Sequence, residues 1–208
     1  MADRKYEQRL RAESAEQTRR RILDALDQHL RRAPSEPVSL DRIAQEAKVA
    51  RSTIYLVFGS RAGLFDAFTE DLWERTGLPA LTQAVANPDA RLHLRGGIRA
   101  ASTMYAADRD IYRALHSMAQ IDSESVGGAA RKMEQERRGG MAYLAQRLND
   151  DGVLRDDVTV DDAVNMLWML CSFESFDLLY TGRHLSLDDT IELLTTIIER
   201  SICRLEKP

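Results

Sequence analysis

The chain has 208 residues, 44% of them hydrophobic and 30% charged, with a formal net charge of -4. That length fits one large domain or a small domain attached to a larger one, and the composition is that of a soluble globular protein with a sizeable core. The summed charge points to no particular partner, but its distribution does. Residues 1–62 hold 13 Lys and Arg against 9 Asp and Glu, about +4, which leaves the remainder at about -8. A basic front and an acidic rear suggest that only the front meets a polyanion.

The two cysteines, Cys171 and Cys203, sit in apolar helical patterns and read as buried thiols, which favours a reducing compartment. The opening stretch MADRKYEQRLRAESAEQ has no apolar core and is not a signal peptide. The longest apolar run, Met166 to Cys171, is far too short to span a bilayer, so a cytoplasmic protein is expected.

In chain order, nearly every segment has a 3.6-residue period and strand signals are almost absent, so the expected class is all-α. Residues 1–16 are dense in charge and read as frayed or partly helical. A first helix is expected over about 16–32, with Ile22, Leu23, Leu26 and Leu30 on one stripe. Pro34 and Pro37 end it, because proline lacks an amide donor and disfavours helix in the residue before it. Ser39 is the expected N-cap of a second helix over 40–47. A third covers about 51–58. Ser60 caps a fourth, over about 60–76, carrying Leu64, Phe65, Phe68 and Leu72 at helical spacing. Five more helices follow, over about 89–107, 109–120, 125–150, 160–180 and 187–205, with breaks at Asn87-Pro88, Asp122-Ser123, Asp151-Gly152 and Thr181-Gly182. Ser186 with Asp188 and Asp189 suits the start of the last. No internal repeat and no low-complexity segment interrupts this series.

Segment 40–59 has a tight pattern, with apolar or small residues at Ile43, Ala44, Ala47, Val49, Ile54 and Val57. Two short helices crossing steeply need such residues: Ala44 allows the second helix close over it, Val49 plugs the turn, and Ile54 points back to the core. Arg51, Ser52, Thr53, Tyr55 and Leu56 are left on the exposed face of the second helix. In a helix-turn-helix these N-terminal positions reach base edges in the major groove. Arginine can contact guanine through two donors, and Ser or Thr can contact several bases. Tyr55 is long enough to reach a phosphate.

The stretch SLDRIAQEAKVARSTIYLVFGSRAGLFDAF, preceded by RRRILDAL, resembles the TetR family of transcriptional regulators. Ser39, Ile43-Ala44, Val49, Thr53-Ile54-Tyr55, Phe58, Ser60-Arg61 and Leu64 stand in register with the family's run. The resemblance implies a three-helix DNA-binding domain over 1–62 and a larger helical ligand-binding and dimerisation domain over 63–208, with the fourth helix connecting them. Three departures stand out. Lys48 replaces the usual turn glycine, so it is expected at positive φ at a cost of roughly 1 kcal/mol. Leu56 and Val57 stand where His and Tyr are common. Arg61 replaces a common lysine and is expected to bind phosphate at the start of the fourth helix. The expected DNA-binding set is Ser39, Arg51, Ser52, Thr53, Tyr55, Leu56 and Arg61. Arg4, Arg9 and Arg11 of the basic arm are more often a solvated face than a DNA contact.

Helix 160–180 is apolar nearly all round and must be covered on both sides. The final helix carries Ile191, Leu194, Ile198 and Ile202 as one stripe, with Ile197 and Leu205 beside it. The resemblance implies that these last two long helices form a four-helix dimer interface, with Val164, Cys171, Ile191, Leu194, Ile198 and Ile202 as candidates. It also implies a small-molecule pocket among the middle helices. Candidate lining residues are Met104, Tyr105, Tyr112, Met118, Met133, Met141, Tyr143, Trp168 and Met169, although each taken alone is more often plain core. Glu174 and Asp177 could receive a cation or form ion pairs at a dimer rim. His93 and His116 could hydrogen-bond a ligand. Gly139-Gly140, inside a long helix, reads as a kink or a close approach.

No metal-ligand spacing, phosphate loop or nucleophile elbow is present in the sequence; GSRAG at 59–63 has the wrong spacing. No catalytic residue, cofactor or metal is therefore expected. The expected partners are a double-stranded DNA operator, a small apolar or amphipathic effector and a second copy of the chain, with no membrane. A homodimeric repressor released from a palindromic operator is the reading. A constitutive DNA-binding or architectural protein, or a small helical enzyme, are the alternatives.

Overall fold

The computed structural model describes residues 2–122, 124 and 126–204, apart from the side chains of residues 2–5, 7–9 and 11. Ser123, Ser125 and Leu205, expected near helix boundaries, lie outside the described residues, as do the side chains of Arg4, Arg9 and Arg11. Among the described residues the chain is helical, apart from one isolated antiparallel bridge between Leu154 and Cys203. The all-α expectation holds.

The chain divides into two compact units, Met1–Asp71 with Arg113–Ala130, and Leu72–Tyr112 with Arg131–Pro208. The first contains α1 (Ala2–Arg32), α2 (Leu40–Glu46) and α3 (Arg51–Phe58), and most of α4 (Arg61–Thr76). Helix α1 is longer than expected: the charged stretch 2–16 continues the same helix. Ile22, Leu23, Leu26 and Leu30 are at most 2% exposed, so the predicted stripe is the buried face. Leu40, Ile43, Ala44, Ile54, Leu64, Phe65 and Phe68 are buried as well. Arg20 ties α1 to α4 through a two-pronged contact with Asp71.

The second unit contains α5 (Leu78–Val85), α6 (Ala90–Ala107), most of α8 (Gly127–Asp150), α9 (Val160–Leu170), α10 (Phe173–Asp177), a π turn (Leu178–Gly182) and α11 (Leu187–Ile202). Helix α7 (Arg109–Ile121) begins in this unit and ends in the first. Helix α5 was not expected, because Pro79 reads as a terminator. It sits in the first turn instead, where its missing N–H has no helical partner to lose. Gly96 of α6 lies against Ala84 of α5, where a Cβ would come within 3.1 Å of the alanine methyl.

The expected single helix over 160–180 is broken. Helix α9 starts on a capping box, in which Thr159 and Asp162 satisfy each other's backbone N–H. It stops at Cys171, and the Ser172 side chain accepts from the Ser175 N–H to begin α10. Serine competes for backbone bonds in this way, which an apolar count does not register. The core of this unit gathers Leu94, Ile98, Leu148, Leu167, Leu194 and Ile198. Both cysteines are buried free thiols. Burial raises the Cys171 thiol to about 12 and Cys203 to about 11, so neither is a ready nucleophile.

Candidate nucleic-acid interface

The helix-turn-helix is built as its residue sizes require. The Ala47 amide bonds the Ile43 carbonyl to close α2, and the Val49 amide returns to the Ala44 carbonyl. That reversal puts Lys48 at φ 55, the left-handed conformation expected where a glycine is missing. Ser39 occupies the N-cap position of α2 with extended backbone, yet its hydroxyl makes no capping bond. Gly59 ends α3 at φ 75, and its amide bonds the Tyr55 carbonyl. Ser60 then caps α4, its Oγ accepting from the Gly63 amide at 2.9 Å. Gly63 is required here, because a Cβ would stand 2.1 Å from the Phe58 carbonyl oxygen.

Helix α3 is anchored on one side and open on the other. Ile54 is fully buried, and Thr53 and Val57 are half-buried. Arg51, Ser52, Tyr55 and Leu56 are exposed, Leu56 to 86%. The Arg19 guanidinium lies 5.5 Å from the centre of the Phe58 ring. Arg51 donates from Nη1 to Asp41 Oδ2 at 3.0 Å and from Nη2 to the Tyr55 hydroxyl at 3.4 Å. Its hydrogen bond to Tyr55 and then the Asp41 charge raise its pKa, so its positive charge is secure.

Arg61, expected to bind phosphate at the start of α4, stands at that position with its side chain part-buried. It turns inward, donating from Nη1 to the Val38 carbonyl at 2.7 Å and from Nε to Asp122 at 3.3 Å, with Phe65 beneath its guanidinium. An arginine fork this well supplied has fewer donors left for a phosphate.

Residues 22–68 match the family model of the bacterial regulatory proteins of the tetR family. About nine-tenths of the chain superposes on solved structures of transcriptional regulators. One is NalD, the secondary repressor of the MexAB-OprM multidrug efflux pump in Pseudomonas aeruginosa, at 24% identity and TM-score 0.69, covering 92% of this chain and 98% of that one. Another is the fatty acid degradation regulator FadR from Bacillus halodurans, at 16% identity and TM-score 0.71, covering 88% and 94%. A third is a putative TetR-family regulator from Rhodococcus sp., at 17% identity and TM-score 0.69, covering 89% and 98%. The fold is that of the TetR regulators. No curated protein matches the chain.

On this TetR fold the expected pocket residues scatter. Met104, Tyr105 and Tyr112 are buried together in the second unit, where the Tyr105 and Tyr112 rings meet edge to face at 5.0 Å and both contact Phe173. Burial pushes both phenols well above the usual tyrosine range. Tyr143, Trp168 and Met169 are 53%, 44% and 53% exposed, so they line no interior. Trp168 instead donates its indole N–H to Glu134, and Arg137 lies over its ring. Met133 is half-buried, Met141 packs on the core, and Met118 falls in the first unit. Among the described residues the second unit holds a cleft between Ile98, Ser102, Tyr105, Cys171, Phe176 and Leu194. Its empty space is about 190 Å³ including its open mouth, with enclosed room for at most about one water molecule.

The six candidates for a dimer interface are buried in the protomer. Val164, Cys171, Leu194, Ile198 and Ile202 belong to the core of the second unit, and Ile191 is 4% exposed. The stripe is real, but it faces inward. The open apolar residues of the same helices are Met166, Trp168 and Met169 on α9 and Leu193 and Ile197 on α11. Asp177 pairs with Arg109 at 2.6 Å. The close approach expected at Gly139-Gly140 is absent: both are exposed within an unbroken α8, and a Cβ on either would meet nothing within 4 Å.

Proposed function

We propose that the protein is a DNA-binding transcriptional regulator, a repressor that binds a palindromic operator as a homodimer and leaves it when a small apolar or amphipathic effector binds. The observation that carries this reading is the open face of α3, where Arg51, Ser52, Tyr55 and Leu56 stand exposed above a buried Ile54. Base edges are read by such side chains on the first turns of the second helix. The match of residues 22–68 to the tetR family supports the same assignment. In this reading Ser39, Thr53 and Arg61 complete the DNA-binding set, with Thr53 able to contact several bases and Arg61 acting through its hold on Val38. Residues 1–62 act as the DNA-binding domain and 63–208 as the effector and dimerisation domain, with α4 between them.

A single reading helix spans one half-site, so a palindrome needs two copies related by a two-fold axis. Exposed Leu193 and Ile197, one turn apart on α11, with Met166 and Met169 on α9, supply apolar surface for that pairing. The cytoplasm is the working compartment. Among the described residues no helix is long and apolar enough to cross a membrane.

The test is a selection from randomised duplexes, followed by binding measurements across a salt series. A symmetric site bound with a steep salt dependence is the expected result. Weak binding without sequence preference contradicts it. The alternative reading is a DNA binder that answers to no effector. A thermal-shift screen with apolar molecules separates the two, because a sensor is stabilised by some of them and a constitutive binder by none.

A further inference from the structure

We propose that Asp41 is a specificity-determining residue that positions Arg51 for base reading. The inference rests on the DNA-binding reading above. Asp41 stands in the first turn of α2, and Arg51 in the first turn of α3. Both carboxylate oxygens face Arg51 Nη1, at 3.0 and 3.3 Å. On the other side, Tyr55 receives Nη2 on its hydroxyl at 3.4 Å and lies with its ring centre 5.9 Å from the guanidinium carbon. The guanidinium is therefore held from two helices and on one face, with N–H groups to spare.

An unheld arginine at this position would sample many rotamers, and a DNA groove surrounds it with phosphates. Pairing with any phosphate gives affinity without sequence information. A guanidinium fixed in orientation can present two donors to guanine O6 and N7, a geometry that no other base offers. Holding the fork in place thus favours base reading over phosphate pairing. The Asp41 charge acts in the same direction, because a carboxylate on a DNA-facing surface repels every phosphate alike. It lowers non-specific affinity and is offset only where Arg51 finds its base.

The fold itself has little use for the pair. The Arg51 and Asp41 side chains are 53% and 70% exposed, and ion pairs that open to water add little stability. A negative charge in the first turn of α2 also suits the helix dipole, and that role is the structural alternative. Glutamate preserves the charge and loses the short reach, so the two roles can be separated.

The test compares wild type, Asp41→Asn, Asp41→Glu and Arg51→Ala, in selection from randomised duplexes and in binding to matched and non-specific duplexes across salt. Wild type is expected to prefer guanine at one position of each half-site by about tenfold or more. Arg51→Ala should lose that preference. Asp41→Asn should lose most of it while binding non-specific DNA more tightly, with an unchanged salt slope and melting temperature. Asp41→Glu should recover the low non-specific affinity and part of the preference. Full guanine preference in Asp41→Asn overturns the proposal, as does a fall in specific and non-specific affinity together with melting temperature. If Arg51→Ala keeps every base preference, the proposal fails while DNA binding stands. If wild type shows no salt-dependent binding to any duplex, the regulator reading fails and takes this proposal with it.

Discussion

Arg61 donates a hydrogen bond from Nη1 to the carbonyl oxygen of Val38, two residues before α2 begins, at 2.7 Å. The same guanidinium reaches Asp122, beyond the end of α7, at 3.3 Å. One side chain therefore fastens the entry of the helix-turn-helix to two other segments of its unit.

The role of Arg61 follows from that fastening. Arg61→Ala should lower stability by about 1–2 kcal/mol, since a charge-assisted bond is lost and the contact is only part-buried. Operator affinity should fall as α2 loosens, but the salt slope should stay at its wild-type value. Removing a true phosphate contact would reduce that slope by about one. Thermal melting with a salt titration decides the matter, and an unchanged melting temperature with a flatter slope would return Arg61 to the DNA surface.

Neighbouring residues on α11 should respond in opposite ways. Ile198 is fully buried, whereas Ile197 is 37% exposed. Ile198→Glu puts an unpaired charge into the core and should unfold the protomer, at a cost of several kcal/mol. Ile197→Glu should leave the protomer folded and dissociate the proposed dimer. Circular dichroism and sedimentation read the two effects separately. A folded, monomeric Ile198→Glu protein would place Ile198 in the interface after all.

The contrast between those two residues shows what periodicity can and cannot reveal. Spacing found the α11 stripe and the α1 stripe correctly, because each repeats an apolar residue along one helix face. It could not say whether a buried stripe meets its own protomer or another copy, since burial looks the same in sequence. The helix-turn-helix was legible to the residue at Lys48, where a reversal this tight leaves a single backbone solution. Helix α5 and the break at Ser172 were missed for a different reason. Proline is a terminator inside a helix and a starter in its first turn, and serine is a filler inside a helix and a cap at its start. Their meaning depends on a boundary that the sequence does not mark. The contact of Arg61 with Val38 was not legible, because its acceptor is a backbone atom, which carries no residue signature.

Two glycine-to-alanine changes should have opposite signs. At Gly63 the new Cβ would stand 2.1 Å from the Phe58 carbonyl oxygen, so backbone must move. Gly63→Ala should destabilise the protein by about 1–3 kcal/mol and disturb the junction of α3 with α4. At Gly139, exposed on α8, a Cβ meets nothing within 4 Å, and alanine is the better helix former. Gly139→Ala should therefore stabilise by about 0.5–1 kcal/mol. Denaturant midpoints measure both, and a stabilising Gly63→Ala would mean that the two helices meet less closely than described.

His93 should make the stability of the second unit depend on pH. Its imidazole on α6 is 5% exposed, and Nδ1 lies 3.1 Å from Arg147 Nη1. Arginine can only donate, so Nδ1 accepts and the ring proton sits on Nε2. Arg147 is fixed there, because it also donates to the carbonyls of Val85, Asn87 and Pro88. Burial first, and the neighbouring guanidinium second, hold the His93 pKa below its ordinary value. In the unfolded chain a histidine titrates near 6.5. As pH falls through that value, the unfolded chain takes up a proton that the folded chain refuses. The stabilisation is thus complete above about pH 6.5 and is lost as pH falls towards the depressed folded value, at up to about 1.4 kcal/mol per pH unit. The melting temperature of wild type should therefore drop more steeply between about pH 7 and 5 than that of His93→Gln, which cannot take up the proton. The His93 ring resonances should titrate below 6.5 in the folded protein. A His93 that titrates at or above 6.5, or a variant with the wild-type pH slope, would show that burial and the Arg147 contact do not keep this ring neutral.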